Sequence, residues 1–241
     1  MTKVEFHKIA NMKRLQKPTM IVGFPGTGLV GSVAVAHLVD ILKLDFGGYI
    51  TSDEFAPLAA IHNYTPMPAA RIHYSEKYNL VVILSEMSIP ISTSNELANG
   101  IYSFARSLNA RQIISLGGIS LKEKEGEVYV ISSSKELTKE LADRKIAKPI
   151  KEGATTGVTG LLLFMGSVFN FPVITILAES SEEYLDSKAA SRALKTLSKL
   201  IGVEINTAEL DKEAKALKES IIHSKISKKG PSVTESGSMY G

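Results

Sequence analysis

The feature that most constrains the fold is the alternation of short, continuously apolar segments with longer segments of helical length. Three apolar runs have the length of strands, namely Thr19–Phe24, Leu80–Leu84 and Val173–Ala178. Helices are predicted between them at Leu29–Leu44 and, opened by a capping-box spacing, from Thr93 to about Leu108. Continuously apolar strands are typical of sheets covered on both faces, and parallel strands need helical crossovers. The sequence therefore predicts an α/β fold with three layers, α/β/α, around a mostly parallel central sheet.

Additional strands are predicted from shorter apolar stretches. Single strands are expected at Phe46–Thr51, Gln112–Leu116 and Val128–Ser132. Leu58–Asn63 and Ala69–Tyr74 flank a proline-containing stretch, and we expect these two segments to pair with each other.

The length of 241 residues and the hydrophobic content of 44% favour one large domain. We expect it to span residues 1–223 and to include a C-terminal helical hairpin at about 186–222, built from Asp186–Ile201 and Thr207–Ile222. The second helix has one apolar stripe, which either packs on the sheet of its own domain or contacts a second subunit. Residues 224–241 are rich in Ser, Gly, Lys and Pro and are predicted to form a flexible tail.

Composition excludes several classes of function. There are 28 Lys plus Arg against 25 Asp plus Glu, a net charge of +3, which gives no electrostatic reason to expect nucleic acid or an acidic membrane as a partner. The absence of cysteine excludes disulfides, cysteine-ligated zinc, iron–sulfur clusters and thiol catalysis. This composition is typical of a cytoplasmic globular protein.

One segment, Leu161–Ala178, approaches the length of a membrane span, with 18 nearly apolar residues. Asn170 and Pro172 interrupt it, and a proline disfavours helix in the residue before it. We therefore expect a buried helix to about Phe169 followed by a buried strand. Met1–Ile9 has no continuous apolar core, so a secretory signal is not expected.

A glycine-rich loop follows the first predicted strand and opens the first predicted helix. Gly26, Gly28 and Gly31 fit the pattern G-x-G-x-x-G, Gly23 precedes them, and Asp53 lies about 20 residues further on, as in dinucleotide-binding units. Backbone amides at such a helix start can hold a pyrophosphate. A second mononucleotide-binding half is not evident, however, and a tight turn with close strand–helix packing also requires glycine. Both interpretations remain open at this point, and no cofactor is predicted.

Carboxylates offer the only candidates for catalysis. Glu86, Glu179 and the pair Asp53-Glu54 follow predicted strands, where α/β enzymes place catalytic groups. None has an evident partner in the sequence, and Gly117–Leu121 does not match the nucleophile motif G-x-S-x-G. The five histidines are scattered without metal-ligand spacing, at His7, His37, His62, His73 and His223. We therefore predict neither a catalytic site nor a metal site.

The sequence ends with a hydrophobic residue, a tyrosine and a residue with a free carboxylate, Met239-Tyr240-Gly241. Tyrosine is a rigid amphipathic anchor with few rotatable bonds. A terminal carboxylate can pair with a lysine or with backbone amides in a pocket. Because the polar tail precedes these three residues, we predict that they bind a partner protein.

Together these motifs resemble the proteasome-assembling chaperone family, specifically its archaeal homologues, over about Lys17–Ile222. The resemblance rests on five segments, which are Gly23–Ala34, Asp53–Pro57, Ile114–Gly118, Gly153–Leu163 and Tyr184–Asp186. It implies an α/β/α fold similar to that of nucleoside phosphorylases but without their chemistry. The terminal Met239-Tyr240-Gly241 resembles the hydrophobic–Tyr–any motif that docks in pockets between proteasome α-subunits.

The resemblance implies a non-enzymatic protein that binds the α-subunits of the proteasome core particle and forms a homo-oligomer. In that case the loop of Gly23, Gly26, Gly28 and Gly31 is architecture and needs no cofactor. The resemblance is equally compatible with an assembly chaperone, an activator and an inhibitor. It is also compatible with a function that needs ATP and with one that does not. The alternative is an enzyme or sensor that binds a nucleotide or sugar phosphate at Gly26, Gly28 and Gly31.

Overall fold

A computed structural model describes residues 3–62, 64–121, 126–180 and 185–216. The strands are β1 Val4–Lys8, β2 Thr19–Gly23, β3 Asp45–Ser52, β4 Ala59–His62, β5 Thr65–Pro68, β6 Ala70–Ser75, β7 Leu80–Ser85, β8 Gln112–Ile119, β9 Val128–Ser132, β10 Lys148–Pro149 and β11 Val173–Glu179. The helices are α1 Val30–Ile41, α2 Ile91–Ser107, α3 Lys135–Asp143, α4 Gly157–Val168 and α5 Ser187–Ile201. A further helix, α6, covers 208–216.

Nine of these strands form one mixed sheet in the order β1-β3-β6-β7-β2-β8-β11-β9-β10. The centre, β7-β2-β8-β11, is parallel, and so is the short pair β9-β10. The remaining four pairs are antiparallel. Because only four of the eight strand pairs are parallel, the expectation of a mostly parallel sheet was wrong. The physical reason is clearest for β6 and β7, because the four residues between them are too few for a helical crossover.

Helices cover both faces of the sheet, as expected for three layers. Along β2, Ile21 packs into a core with α1 and α5, whereas Met20 and Val22 pack into a second core with α2 and α4. This alternation follows from the two-residue period of a strand. The α/β class and the buried parallel strands were thus predicted correctly. None of the helices within the described ranges has the length and hydropathy of a membrane span.

The predicted C-terminal hairpin is present over its described part. Gly202 ends α5 in the left-handed conformation (φ 69°), and α6 returns beside it. Asp211 accepts hydrogen bonds from Ser191 (2.7 Å) and Lys195 (2.9 Å). Leu210 is buried in the core that α1 and α5 share. The described part of the stripe therefore packs on its own domain, while the predicted domain end at 223 lies outside the described residues.

Two predicted details were wrong. The segments at Leu58–Asn63 and Ala69–Tyr74 do not pair, because β4 pairs with β5 in a separate two-stranded sheet and β6 joins the main sheet. In addition, α2 begins at Ile91 with Pro90 as its N-cap, so Thr93 is not a capping residue. The Thr93 hydroxyl instead donates to the Pro90 carbonyl (2.9 Å).

Candidate functional site

The glycine loop lies at the carboxyl end of β2, between that strand and α1. A methyl group on Gly31 would lie 2.4 Å from the carbonyl oxygen of Leu116 in β8. A methyl group on Gly23 would lie 2.3 Å from the carbonyl oxygen of Gly31. Both distances are far below van der Waals contact, so these two glycines allow α1 to pack directly on the sheet.

Gly28 faces the segment that follows β11. Its φ of +61° is in the left-handed region, and a methyl group there would lie 2.0 Å from the Ser180 hydroxyl. The backbone amide of Asp186 donates to the Gly28 carbonyl (3.0 Å), and the Ser180 hydroxyl donates to Asp186 Oδ2 (2.9 Å). The space beside Gly28 is thus occupied by the chain itself. By contrast, a methyl group on Gly26 would have no neighbour within 4 Å.

The Asp186 carboxylate changes what this loop can bind. A methyl group on Gly28 would lie 3.3 Å from Asp186 Cβ, so a negative charge stands beside the loop. Asp186 Oδ1 also accepts from the amide of Ala189 and caps α5. An anion at Gly28 would meet this carboxylate, which opposes the favourable field of a helix start.

Asp53 does not complete a dinucleotide site. It follows β3, which is separated from β2 by β6 and β7. Three strand spacings amount to about 14 Å, whereas the dinucleotide motif places its acidic residue on the strand next to the glycine loop. The sequence spacing of Asp53 therefore has no counterpart in the fold.

Glu86 has partners that the sequence did not indicate. Its Oε1 accepts from Arg71 Nη2 (2.7 Å) and lies 2.8 Å from His62 Nε2. Arg71 is only 3% exposed, and its Nη1 donates to the Pro68 carbonyl (3.0 Å). Arg71 therefore ties β4, β5 and the end of β7 together. The one signal in the sequence was an arginine within the predicted strand Ala69–Tyr74.

Charge and burial shift the pKa values in this cluster. Burial alone would raise the pKa of Glu86, but the hydrogen bond and charge of Arg71, aided by His62, lower it below its usual value. The neighbouring His73 is 6% exposed, and burial, followed by the charge of Arg71, lowers its pKa to about 4. His73 is therefore neutral at pH 7, and Glu86 is a paired carboxylate.

The other candidate carboxylates are also held by the fold. Glu179 Oε1 accepts from the amide of Leu121 (3.0 Å), while the Glu179 carbonyl accepts from Arg192. Glu54 accepts a short hydrogen bond from Ser92. Glu86 follows β7 and Glu179 belongs to β11, and β2 and β8 lie between these strands. These acids do not converge on one site, and no metal-binding cluster exists among the residues that the structure describes.

The predicted partner-binding residues Met239, Tyr240 and Gly241 lie outside the described residues, as does His223. Two surface histidines have structural roles: His7 bonds with Thr51, and His37 with the Asn206 carbonyl. The structure thus brings together the glycine loop, Ser180 and Asp186, and separately His62, Arg71 and Glu86.

Comparison with known proteins decides the family. The model of the PAC2 family matches residues 20–223, which is most of the chain. The chain belongs to the PAC2 family. A relative, an uncharacterised protein of Methanocaldococcus jannaschii, is 30% identical over 206 residues, which cover 86% of this chain and 84% of the relative.

Two crystal structures of Pyrococcus furiosus proteins are similar to this PAC2 protein over nearly its whole length. PbaA, described as an archaeal homolog of proteasome-assembly chaperone, has a TM-score of 0.84 and 28% identity over 93% of both chains. PbaB, described as an archaeal proteasome activator, has a TM-score of 0.78 and 26% identity, and the match covers 93% of this chain and 98% of PbaB.

Proposed function

We propose that this PAC2 protein binds the proteasome core particle, as an assembly chaperone or as an activator, and catalyses no reaction. The observation that supports the proposal best is its similarity in fold and sequence to both PbaA and PbaB over 93% of the chain. The resemblance of the five sequence segments to the same family, and their order, agree with it. The cytoplasm is the compartment where such a complex would form.

The proposed docking element is Met239-Tyr240-Gly241. Tyr240 would fill a pocket between α-subunits, and the Gly241 carboxylate would pair with a lysine or with backbone amides there. A single tripeptide binds weakly, so we propose a homo-oligomer whose several tails raise the overall affinity. The α-ring, with repeated pockets, is suited to such a multivalent partner.

We propose that the glycine loop is architecture. Gly23 and Gly31 allow the approach of α1 to the sheet, and Asp186 lies against Gly28, where a methyl group would be 3.3 Å from its Cβ. The alternative, a nucleotide or sugar-phosphate site at Gly26, Gly28 and Gly31, requires an anion beside that carboxylate. The kinship in fold with nucleoside phosphorylases remains a prediction.

Co-sedimentation with proteasome core particles tests the docking. The full-length protein, Tyr240→Ala and a chain extended by two residues after Gly241 are compared, with Ser232→Ala as a control in the same tail. We expect the wild type and Ser232→Ala to bind equally, and the other two to bind at least about tenfold more weakly, because each lacks the anchor or the terminal carboxylate. Equal binding by all four would remove the motif from the mechanism.

Peptide hydrolysis by core particles then separates the two roles. An activator increases the rate of hydrolysis by finished particles, whereas an assembly chaperone leaves that rate unchanged and increases the yield of rings from free α-subunits. Tyr240→Ala is expected to abolish whichever effect the wild type has.

A further inference from the structure

The exposed large apolar side chains are concentrated at one edge of the sheet. Among the described residues, twelve such side chains are exposed. Seven of them lie at the edge where the central parallel strands have their carboxyl ends. Four follow those strands, namely Leu29, Ile91, Leu121 and Leu185, and three lie between the carboxyl end of β3 and the amino end of β6 at the same edge, namely Leu58, Ile61 and Tyr64. We call this surface the carboxyl edge. A concentration of this kind is typical of a protein-binding surface, whereas scattered apolar side chains are not.

One part of the carboxyl edge is the hairpin of β4 and β5, which we call the arm. No Asp, Glu, Lys or Arg occurs in residues 55–70, although 22% of the whole chain is charged. Ile61 is 64% exposed, and Tyr64 is fully exposed. Pro66 and Pro68 remove backbone donors from β5, so the arm is poorly suited to adding a strand from another chain. Its apolar side chains, not its backbone, are therefore available for contact.

The arm is held rigidly at its base. The buried Arg71 contacts His62 in β4 and donates to the Pro68 carbonyl in β5, and it is itself paired with Glu86. A side chain that joins both strands fixes the direction in which Ile61 and Tyr64 project. Preorganisation of this kind lowers the entropic cost of binding.

The second part of the carboxyl edge surrounds the glycine loop. Leu29, Leu121 and Leu185 are each about two-fifths exposed. Two hydrogen bonds hold the segments of these leucines. The Asp186 amide donates to the Gly28 carbonyl in the glycine loop (3.0 Å), and the Leu121 amide donates to Glu179 Oε1 at the end of β11 (3.0 Å). Leu29 has a φ of 53°, an unfavourable conformation for leucine, which agrees with a functional role for this exposed position.

The described end of α6 lies at this same edge. The Glu213 carboxylate in α6 accepts a hydrogen bond from the Ser187 hydroxyl (3.3 Å). Ser187 is the first residue of α5 and follows Asp186, whose amide bonds to Gly28 in the glycine loop. Helix α6 thus returns to the carboxyl edge as it reaches residue 216. In the sequence, 25 residues follow residue 216, and the last three are Met239-Tyr240-Gly241.

We infer that the carboxyl edge faces the same partner that takes the terminal tripeptide, and that its apolar side chains contact that partner directly. The inference rests on the proposed function, in which this partner is the α-ring. We expect the surface of the partner that contacts the arm to be apolar and uncharged, because residues 55–70 of this chain contain no charged residue. The tail then tethers the protein, and the edge sets its orientation on the ring, so that two weak contacts combine in one complex.

A matched pair of substitutions tests this inference by co-sedimentation with core particles. Ile61 in the arm and Ile9 at the opposite edge are the same residue type, and both are 64% exposed. We expect Ile61→Ser to weaken binding about tenfold and Ile9→Ser to leave it unchanged. Tyr64→Asn is a second arm variant that keeps the fold, because asparagine tolerates the φ of 64° at this position. Its binding is expected to fall as for Ile61→Ser.

Each outcome is informative because Tyr240→Ala is measured in parallel. If Tyr240→Ala loses binding while both arm variants bind like the wild type, the inference is overturned and the proposed function stands. If Tyr240→Ala and the arm variants all bind normally, both fail. If an arm variant changes the mass of the free protein in analytical ultracentrifugation, a second copy of the chain covers the arm, and the inference is again overturned.

Discussion

At the scale of single residues, the glycine loop separates positions that need glycine for packing from one that does not. Gly31 has backbone oxygens of Leu116 and Phe24 where a side chain would begin, and backbone cannot move aside without shifting β8. Gly26 has an extended φ of −168° and open space around it. Packing therefore requires glycine at position 31 but not at position 26, although both belong to the same motif.

This difference predicts opposite effects for two substitutions in one loop. Gly31→Ala is expected to lower the free energy of unfolding by about 1–3 kcal/mol, the usual cost of overpacking. Gly26→Ala should leave it unchanged or raise it by about 0.5 kcal/mol, because alanine restricts the unfolded chain. Urea denaturation measures both. Wild-type stability of Gly31→Ala would contradict the packing role, and a loss in Gly26→Ala would indicate an unrecognised contact.

At the scale of elements, the sequence patterns predicted the strands that are buried on both faces. The apolar runs located β2, β7 and β11 because strands buried on both faces need apolar residues throughout. By contrast, α3 was missed, since Leu141 is the one fully buried side chain in a short polar segment. Strand β1 was missed as well, because it is an edge strand with half-buried side chains.

The candidate sites likewise contain features that the sequence predicted and features that it did not. The positions of Gly23 and Gly31 between a strand and a helix were predictable, because their close approach is local. The partners of Glu86 were not, since Arg71 and His62 reach it only through the pairing of β6 with β7 and the fold of the arm. Which strands pair depends on connection lengths and packing of the whole sheet, which periodicity does not encode.

Arg71 tethers both strands of the arm, and this gives a prediction at the element scale. Arg71→Met leaves Glu86 partly buried without its cation and frees both strands of the arm. We expect a loss of about 2–4 kcal/mol in the free energy of unfolding, below the cost for a fully buried pair because Glu86 is partly exposed.

Arg144→Met is the matched control, since Arg144 pairs with Glu140 on the surface of α3 and both are about half exposed. Its cost should stay below about 1 kcal/mol. Guanidinium denaturation measures both variants. Equal losses would show that Arg71 has no special role, and hydrogen exchange of residues 59–68 should rise in Arg71→Met alone.

At the scale of the whole molecule, one edge of the sheet concentrates the features that concern function. The glycine loop, the arm and the described end of α6 all lie at the edge where the parallel strands have their carboxyl ends. At this edge Glu86 is paired with Arg71 and His62. The edge thus presents apolar side chains over the Arg71–Glu86 ion pair, which is lost when the Glu86 carboxylate is protonated.

Stability of the molecule should accordingly fall in mild acid. The pKa of His73 is lowered from 6.5 to about 4, so below pH 6.5 the unfolded chain binds a proton that the folded chain refuses. Stability is therefore full above pH 6.5 and falls as the pH decreases toward 4, with a loss of about 2–3 kcal/mol at pH 4.5. The lowered pKa of Glu86 adds a further loss, which begins below about pH 4.5. Urea denaturation of the wild type and of His73→Phe, which keeps an aromatic ring beside Phe46, at pH 7 and 4.5 measures the difference. The variant should lose about 2–3 kcal/mol less than the wild type over this interval, and parallel losses in both proteins would assign the acid sensitivity to other groups.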